Sequence, residues 1–446
     1  MRFHRDSLDH WTTGNDVPNL FQPPYARFTL LVGMVYDLRV WGVFFILLFN
    51  HYTEMFPNCY IGADIIIVVS GFLAGCALRD EHIDNATVKE FWMKRTRWLL
   101  QIYYLAVFLI LVSCYLLLPI SYQQTNLEKA RTAMFLISNI KLPCSGDNFS
   151  NTLPSIEDAF GHTWLPCLLI QWHIIAPILF WIQRRVTDRD FVFFAGISAS
   201  FLGLSLLPKK LTASYWIYCR LWQLCAGTSV AVYSSQGRGS SASIEEGKSS
   251  SMLGAHSFSS GSDIEDRSGE SARSFKSEWM RYGLSFLRHP VLFLPLLIPM
   301  FWFRFTSFDL RLYITVATTL LLYVSNKNEE FPLFTSRLTT DLGEMLYPLY
   351  LAHWPIYSFA RYHADVLHSS VECGIGISIG VGLLSHHHLR RLYAHMSPTV
   401  TKVIYIAVVV ATVVLSMKTI KFRNNDLHYL SISVQDTICD IVNAIY

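Results

Sequence analysis

Charge is scarce in this chain. Lys and Arg number 36 and Asp and Glu 33 among 446 residues, so charged side chains make up 15%. An ordinary soluble domain carries about 25%. Neither sign is in large excess. The formal net charge is +3, which excludes a basic nucleic-acid module and predicts no nucleic-acid partner. Zinc-ligand spacing, a P-loop, a Rossmann fingerprint and internal repeats are all missing. The first thirty residues are polar and aromatic, with Pro23-Pro24. They lack the basic start, apolar run and small-residue cleavage site of a signal peptide. The nine cysteines are too scattered to make a disulfide framework. Cys76, Cys114, Cys219 and Cys225 lie in apolar runs and read as small packing residues. What is abundant is apolar surface: 52% of the residues are hydrophobic and the mean hydropathy is +0.32. That excludes a disordered chain and an ordinary soluble enzyme. Length alone would suit about three domains of roughly 150 residues. The apolar segments recur along nearly the whole chain and predict one membrane body instead.

A helical span needs about 20 mostly apolar residues. Candidates fall at 30–50, 60–78, 98–119, 165–182, 190–207, 212–232, 287–303, 309–325, 343–361, 371–386 and 402–418, eleven in all. The fold expected is an all-α polytopic membrane protein with about 10–11 transmembrane helices. Lys94, Arg95 and Arg97 precede the third span, Arg184, Arg185 and Arg189 follow the fourth, and Arg390, Arg391 and Lys402 lie between the last two. Eleven spans put all three clusters on one side, which makes the N-terminus cytoplasmic by the positive-inside rule.

The chain then divides into a cytoplasmic segment 1–29, a first helix group 30–233, a loop 234–286, a second helix group 287–418 and a short tail 419–446. The loop is rich in Ser and Gly with scattered acids and no periodicity, so it reads as disordered and cytoplasmic. It is a connector, or a phosphorylatable contact surface for a cytoplasmic partner. Residues 120–164 face outward, and within them 131–140 reads as re-entrant or interfacial. Asn148-Phe149-Ser150 in that loop is a glycosylation acceptor. Cys144 lies there too, and Cys59 in the first outward loop, within pairing range on this map. Asn85-Ala86-Thr87 falls on the cytoplasmic side and stays bare. Gly71 and Gly75 have the small-x-x-x-small spacing of close helix packing. Pro177, Pro348 and Pro355 should kink or break their spans.

Ionisable groups inside spans cost at least about 2.5 kcal/mol each and ask for a partner or a task. Arg39, in Tyr36-Asp37-Leu38-Arg39, has two readings. It pairs with Asp37, or it holds an anionic substrate group. Asn50 and His51 end the first span where Asp64 begins the second, and the short loop brings these ends together. A carboxylate beside an imidazole orients it and raises its basicity. The alternatives are an interfacial His51 without chemistry and an Asp64 that accepts backbone N–H groups at a helix start. His162-Thr163-Trp164 opens the fourth span, with His173 deeper. His353-Trp354-Pro355 lies in the ninth span among Tyr347, Tyr350 and Tyr357. His173 and His353 can each be satisfied by one backbone carbonyl. Arg220 and Gln223 add polarity to the sixth span. These residues line a polar cavity whose spacing does not separate a transporter from an enzyme.

Several strings resemble the membrane acyltransferase-3 family, in particular its nematode and insect "nose resistant to fluoxetine"-like branch. They are Leu38-Arg39 through Phe49-Asn50, Pro57-Asn58-Cys59-Tyr60-Ile61-Gly62-Ala63-Asp64 with Val69-Ser70-Gly71-Phe72-Leu73, and Phe91-Trp92 with Lys94-Arg95 and Arg97-Trp98. Ser138-Asn139, His162-Thr163-Trp164, Arg220-Leu221-Trp222-Gln223-Leu224 and Tyr347 through Pro355 follow in the family's order. The resemblance covers roughly 36–361. It implies an integral membrane enzyme, with no bound cofactor or metal, that moves an acyl group from acyl-CoA to a hydroxyl of a glycan or lipid. Separately, a sequon, many spans and no sorting signal permit the plasma membrane or the endoplasmic reticulum.

The chain departs from the family's pattern in three places. The position of the family's presumed catalytic His is Asn50, with His51 one place later; the acidic position after His162-Thr163-Trp164 is Leu169; and a Gly is replaced by Val40. The amide of Asn50 does not titrate, so it is no base. General-base attack needs a base, an orienting carboxylate and a donor to the oxyanion. The catalytic candidates are therefore His51, His162 and Asp64, with Arg39, Arg220 and His353 binding substrate. Three functions stand on this reading: an acyltransferase, a family member without chemistry that acts as a regulatory or scaffold partner, and a transporter of a lipid or small molecule.

Overall fold

The computed structural model describes residues 23–118, 120–140, 158–205, 215–233, 295–300, 306–327, 337–363, 370–385, 399–400 and 402–416. Among them the structure is helical and contains no strand. The helices are α1 (Pro23–His51), α2 (Gly62–Leu78), α3 (Asn85–Leu117), α4 (Ile120–Met134), α5 (Trp164–Val186), α6 (Asp190–Ser205), α7 (217–233), α8 (Ser307–Lys327), α9 (Arg337–Tyr362), α10 (Ser370–Leu384) and α11 (Lys402–Ser416). Helix α1 begins at Pro23-Pro24, where the ring's fixed φ suits a first turn and the missing N–H costs nothing. Asn148, Cys144 and the Ser-rich loop 234–286 lie outside the described residues, as does the 287–303 span apart from 295–300.

Helices stand where ten of the expected spans were placed. Among the described residues, four stretches are long and apolar enough to cross a membrane: Cys59–Leu78, Leu99–Leu117, Gly161–Val186 and Ser307–Val324. Asp190–Gly203, Cys373–Leu384 and Lys402–Ser416 are apolar but shorter. Peripheral helices turn aliphatic side chains outward, including Leu116, Leu320, Ile377, Val403 and Ile406.

Helix α2 is the centre. One face, with Ala63, Ile66, Ile67, Ala74 and Leu78, packs into the core shared with α3 and α5. The opposite face, with Ile65, Val68, Val69 and Phe72, packs into the core shared with α1 and α8. Small residues let the backbones touch. A Cβ on Gly71 would collide with the Leu224 carbonyl of α7, and one on Gly227 with the Val68 carbonyl of α2. Gly62 meets the Gly42 carbonyl of α1 in the same way. Thr228 then donates its hydroxyl to the Gly71 carbonyl at 2.9 Å. The close packing expected of the Gly71–Gly75 spacing is present, and its partner is α7.

The prolines do not break their helices. Helix α5 runs through Pro177 and α9 through Pro348 and Pro355. Pro177 has no N–H for the carbonyl four residues earlier, which belongs to His173. That oxygen accepts the Trp92 indole N–H of α3 at 2.9 Å instead. Proline thereby opens a site for an interhelical hydrogen bond.

One further expectation is corrected. Residues 120–134, expected in an outward loop, form α4. Its Leu127, Ala130 and Ala133 are buried against α3, and Tyr103 and Tyr104 donate to the carbonyls of Ala133 and Met134, both at 2.9 Å. The segment read as re-entrant, 131–140, is the end of α4 and a tight turn with Leu136 at φ 58°. Cys59 is a buried free thiol, and Cys144 lies outside the described residues.

Candidate functional site

Three histidines from separate parts of the chain meet where α1 ends and α5 begins. His51 is the last residue of α1, His162 sits in the 3-10 turn Gly161–Thr163 that leads into α5, and His353 lies inside α9. All three are buried. The His353 ring centroid lies 5.9 Å from His162 and 6.5 Å from His51. Tyr357 meets the edge of His51 at 4.5 Å, and Tyr350 lies 5.8 Å from His162.

The walls of this cluster are tied by side-chain bonds to backbone. The Tyr350 hydroxyl donates to the His162 carbonyl, and the Trp354 indole donates to the Asp158 carbonyl, both at 2.7 Å. Asn126 of α4 accepts the Ala159 N–H at 3.0 Å. Thr163 donates to the Ser138 hydroxyl at 2.9 Å. Asn139 and Gln171 exchange two amide bonds at 2.8 Å each, and Gln171 adds one to the Leu136 carbonyl at 2.7 Å. Segments 134–140 and 158–163 and helices α5 and α9 are thus one rigid frame around His162.

The three imidazoles differ in their bonding. His353 is bonded at both ring nitrogens, Nδ1 to the Tyr350 carbonyl at 2.5 Å and Nε2 to the Asn50 amide nitrogen at 3.0 Å. Among the described residues, no hydrogen-bond partner serves either ring nitrogen of His51 or of His162. Backbone groups of Leu351 and Ala159 lie near His162 without completing a bond. Leu351 is four residues before Pro355, so its carbonyl has no helical donor. A buried polar group left unmade costs about 1–3 kcal/mol, and here the cost falls on two rings that each neighbour His353.

Asp64 does not orient a histidine. Its Oδ1 receives Arg220 Nη1 and the Gln223 amide, the latter at 2.8 Å, and Gln223 also reaches Arg220 Nη1 and Thr315 Oγ1, both at 3.0 Å. Both ion-pair partners are buried, at 1% and 4% side-chain exposure. A guanidinium offers a charge-assisted bond that a neutral imidazole does not match, which is why the carboxylate turns to α7. Arg220 is therefore committed to Asp64 and Gln223. Its guanidinium stands 6.0 Å from the Trp164 ring, and Phe49 lies 5.8 Å from Tyr60, whose ring carries Arg311 at 5.7 Å.

Arg39 is half-buried on α1. Twelve residues separate it from His51, about 18 Å along a helix axis, so it stands apart from the cluster. Asp37 is buried and, among the described residues, its Oδ2 has no partner. His173 is satisfied locally, with Nδ1 2.6 Å from the Leu169 carbonyl. Among the described residues, no group of three or more His, Cys, Asp or Glu side chains is placed to hold a metal ion.

Sequence reasoning found His51, His162 and His353 but not the bond from Asn50, nor Thr315 and Asp158. The Asn50 bond joins residues 303 positions apart, and no spacing along the chain signals it. No family model, curated protein or solved structure matches the chain.

Proposed function

We propose that this chain is an integral membrane O-acyltransferase that takes an acyl group from acyl-CoA and gives it to a hydroxyl of a glycan or lipid. Apolar helices of membrane length, aliphatic outward faces and the positive-inside pattern support the membrane setting. On this reading the N-terminus is cytoplasmic and Asn148 is glycosylated, and a sequon with many spans and no sorting signal suits the plasma membrane or the endoplasmic reticulum.

The observation that carries the chemistry is that two buried imidazoles, His51 and His162, have no hydrogen-bond partner among the described residues and each neighbour His353. In the reaction the acceptor hydroxyl oxygen bonds to the thioester carbonyl carbon. One of the two imidazoles takes the hydroxyl proton. The carbon–sulfur bond then breaks, and that proton passes to the departing thiolate. The other imidazole donates to the carbonyl oxygen as charge builds on it. Substrate atoms supply the hydrogen bonds that both rings lack in its absence.

A second reading has support of its own. Among the described residues no carboxylate bonds any of the three histidines, and Asn50 stands where the family resemblance expects a base. A chain without chemistry would serve as a membrane regulatory or scaffold protein, with loop 234–286 meeting a cytoplasmic partner.

Membranes holding the wild-type chain, His51→Ala, His162→Ala or no chain, fed labelled acyl-CoA, separate the two. A labelled lipid or glycan that disappears in both variants at equal protein level supports the enzyme. No label above the empty control favours the scaffold.

A further inference from the structure

The bonds of His353 define its protonation. The Tyr350 carbonyl can only accept, so Nδ1 carries a hydrogen. On the other side Asn50 offers either its amide nitrogen or, with the amide turned over, its oxygen. The turned amide would require a hydrogen on Nε2 as well, and so a full positive charge on His353. That residue is completely buried, and among the described residues its ring has no carboxylate bonded to it. Charge buried without a counter-ion is strongly disfavoured. Asn50 therefore donates, Nε2 accepts, and the ring is neutral.

We propose that Asn50 is a positioning residue that locks His353 as its Nδ1–H tautomer and withdraws that ring from proton transfer. The lone pair that a base would use is occupied by the Asn50 amide, and the N–H that an acid would use is occupied by the Tyr350 carbonyl. The groups that face His353 are His51, His162, Tyr350 and Asn50. With His353 held, proton transfer falls to His51 and His162, which each neighbour its neutral ring. The consequence for catalysis rests on the acyl-transfer reading, whereas the tautomer does not.

The test is nitrogen-15 NMR on the full chain in lipid nanodiscs, labelled at histidine, with the His353 signals assigned by their loss in His353→Gln. The wild type should show Nδ1 protonated and Nε2 unprotonated. Asn50→Asp removes the donor and adds a carboxylate, so both nitrogens of His353 should be protonated. Asn50→Leu removes the bond to Nε2 and should move the Nε2 resonance toward that of an unbonded imidazole nitrogen while Nδ1 stays protonated on the Tyr350 carbonyl, which keeps the test intact if the aspartate variant fails to fold. Where the chain transfers acyl groups, Asn50→Asp should lower kcat by tenfold or more at unchanged KM for the donor, because an imidazolium beside His51 and His162 opposes their protonation. A wild-type His353 protonated on both nitrogens, or on Nε2 alone, overturns the lock, as does an unchanged spectrum in both variants. The expected spectra from a chain that transfers no acyl group overturn the enzymatic reading and uphold the lock.

Discussion

Asp64 and Arg220 pair across 156 positions of sequence, and neither is open to solvent. The pair fastens the start of α2 to α7, and Gln223 extends it to α8 through Thr315. Removing one partner leaves the other charge buried. Asp64→Asn should therefore destabilise the protein by about 3–5 kcal/mol, read as a fall in melting temperature in detergent. Replacing both charges together, with Asp64→Leu and Arg220→Met, should recover most of the loss, since apolar residues of similar volume often match a buried ion pair.

The glycines of α2 and α7 predict a sharp contrast. Gly71→Val forces α2 away from the Leu224 carbonyl and should cost at least about 1–3 kcal/mol, the usual range for overpacking. Gly196 in α6 has nothing within 4 Å of its would-be Cβ. Gly196→Ala should be neutral or stabilising by up to about 1 kcal/mol, through helix propensity alone. Thermal unfolding of the two variants side by side checks both.

Asp84 caps α3 by accepting the Thr87 N–H at 2.7 Å. That bond to the charged form holds its carboxyl below the usual carboxylate range. A carboxyl whose pKa is lower in the folded state stabilises at pH values above its unfolded pKa, and the contribution is lost as pH falls through the folded value. The gap in melting temperature between wild type and Asp84→Ala should be full near neutral pH and close as the solution is acidified below the ordinary carboxylate range. A gap that is constant with pH would mean the cap does not depend on ionisation.

Apolar run length located most helices well. The reading 60–78 became α2 over Gly62–Leu78, and 190–207 became α6 over Asp190–Ser205. Helix α4 was hidden because its composition is polar, although Leu127, Ala130 and Ala133 carry a buried stripe at three-residue intervals. At the site, the sequence named the polar groups of the helices but not the direction each side chain takes. Asp64 was read as standing near His51 because a short loop joins their helices. Each residue turns a helix by about 100°, and that rotation, which span counting does not track, aims Asp64 at α7. The same gap hid the Asn50–His353 bond, whose two residues sit on helices that no short loop connects.

Helix α2 is surrounded by partners made before and after it. The Thr228 hydroxyl that binds the Gly71 carbonyl belongs to a residue 157 positions later. At about 5–20 residues per second, synthesis of that stretch takes on the order of ten to thirty seconds. Through that interval the groove along Gly71 and Gly75 has no occupant from its own chain, while α1 already covers the Gly62 end. The first helices must wait, formed but incomplete, for a helix not yet synthesised. Slower translation across 79–216 would lengthen that wait, and variants that weaken the α1–α2 contact at Gly42 should be the most sensitive to it.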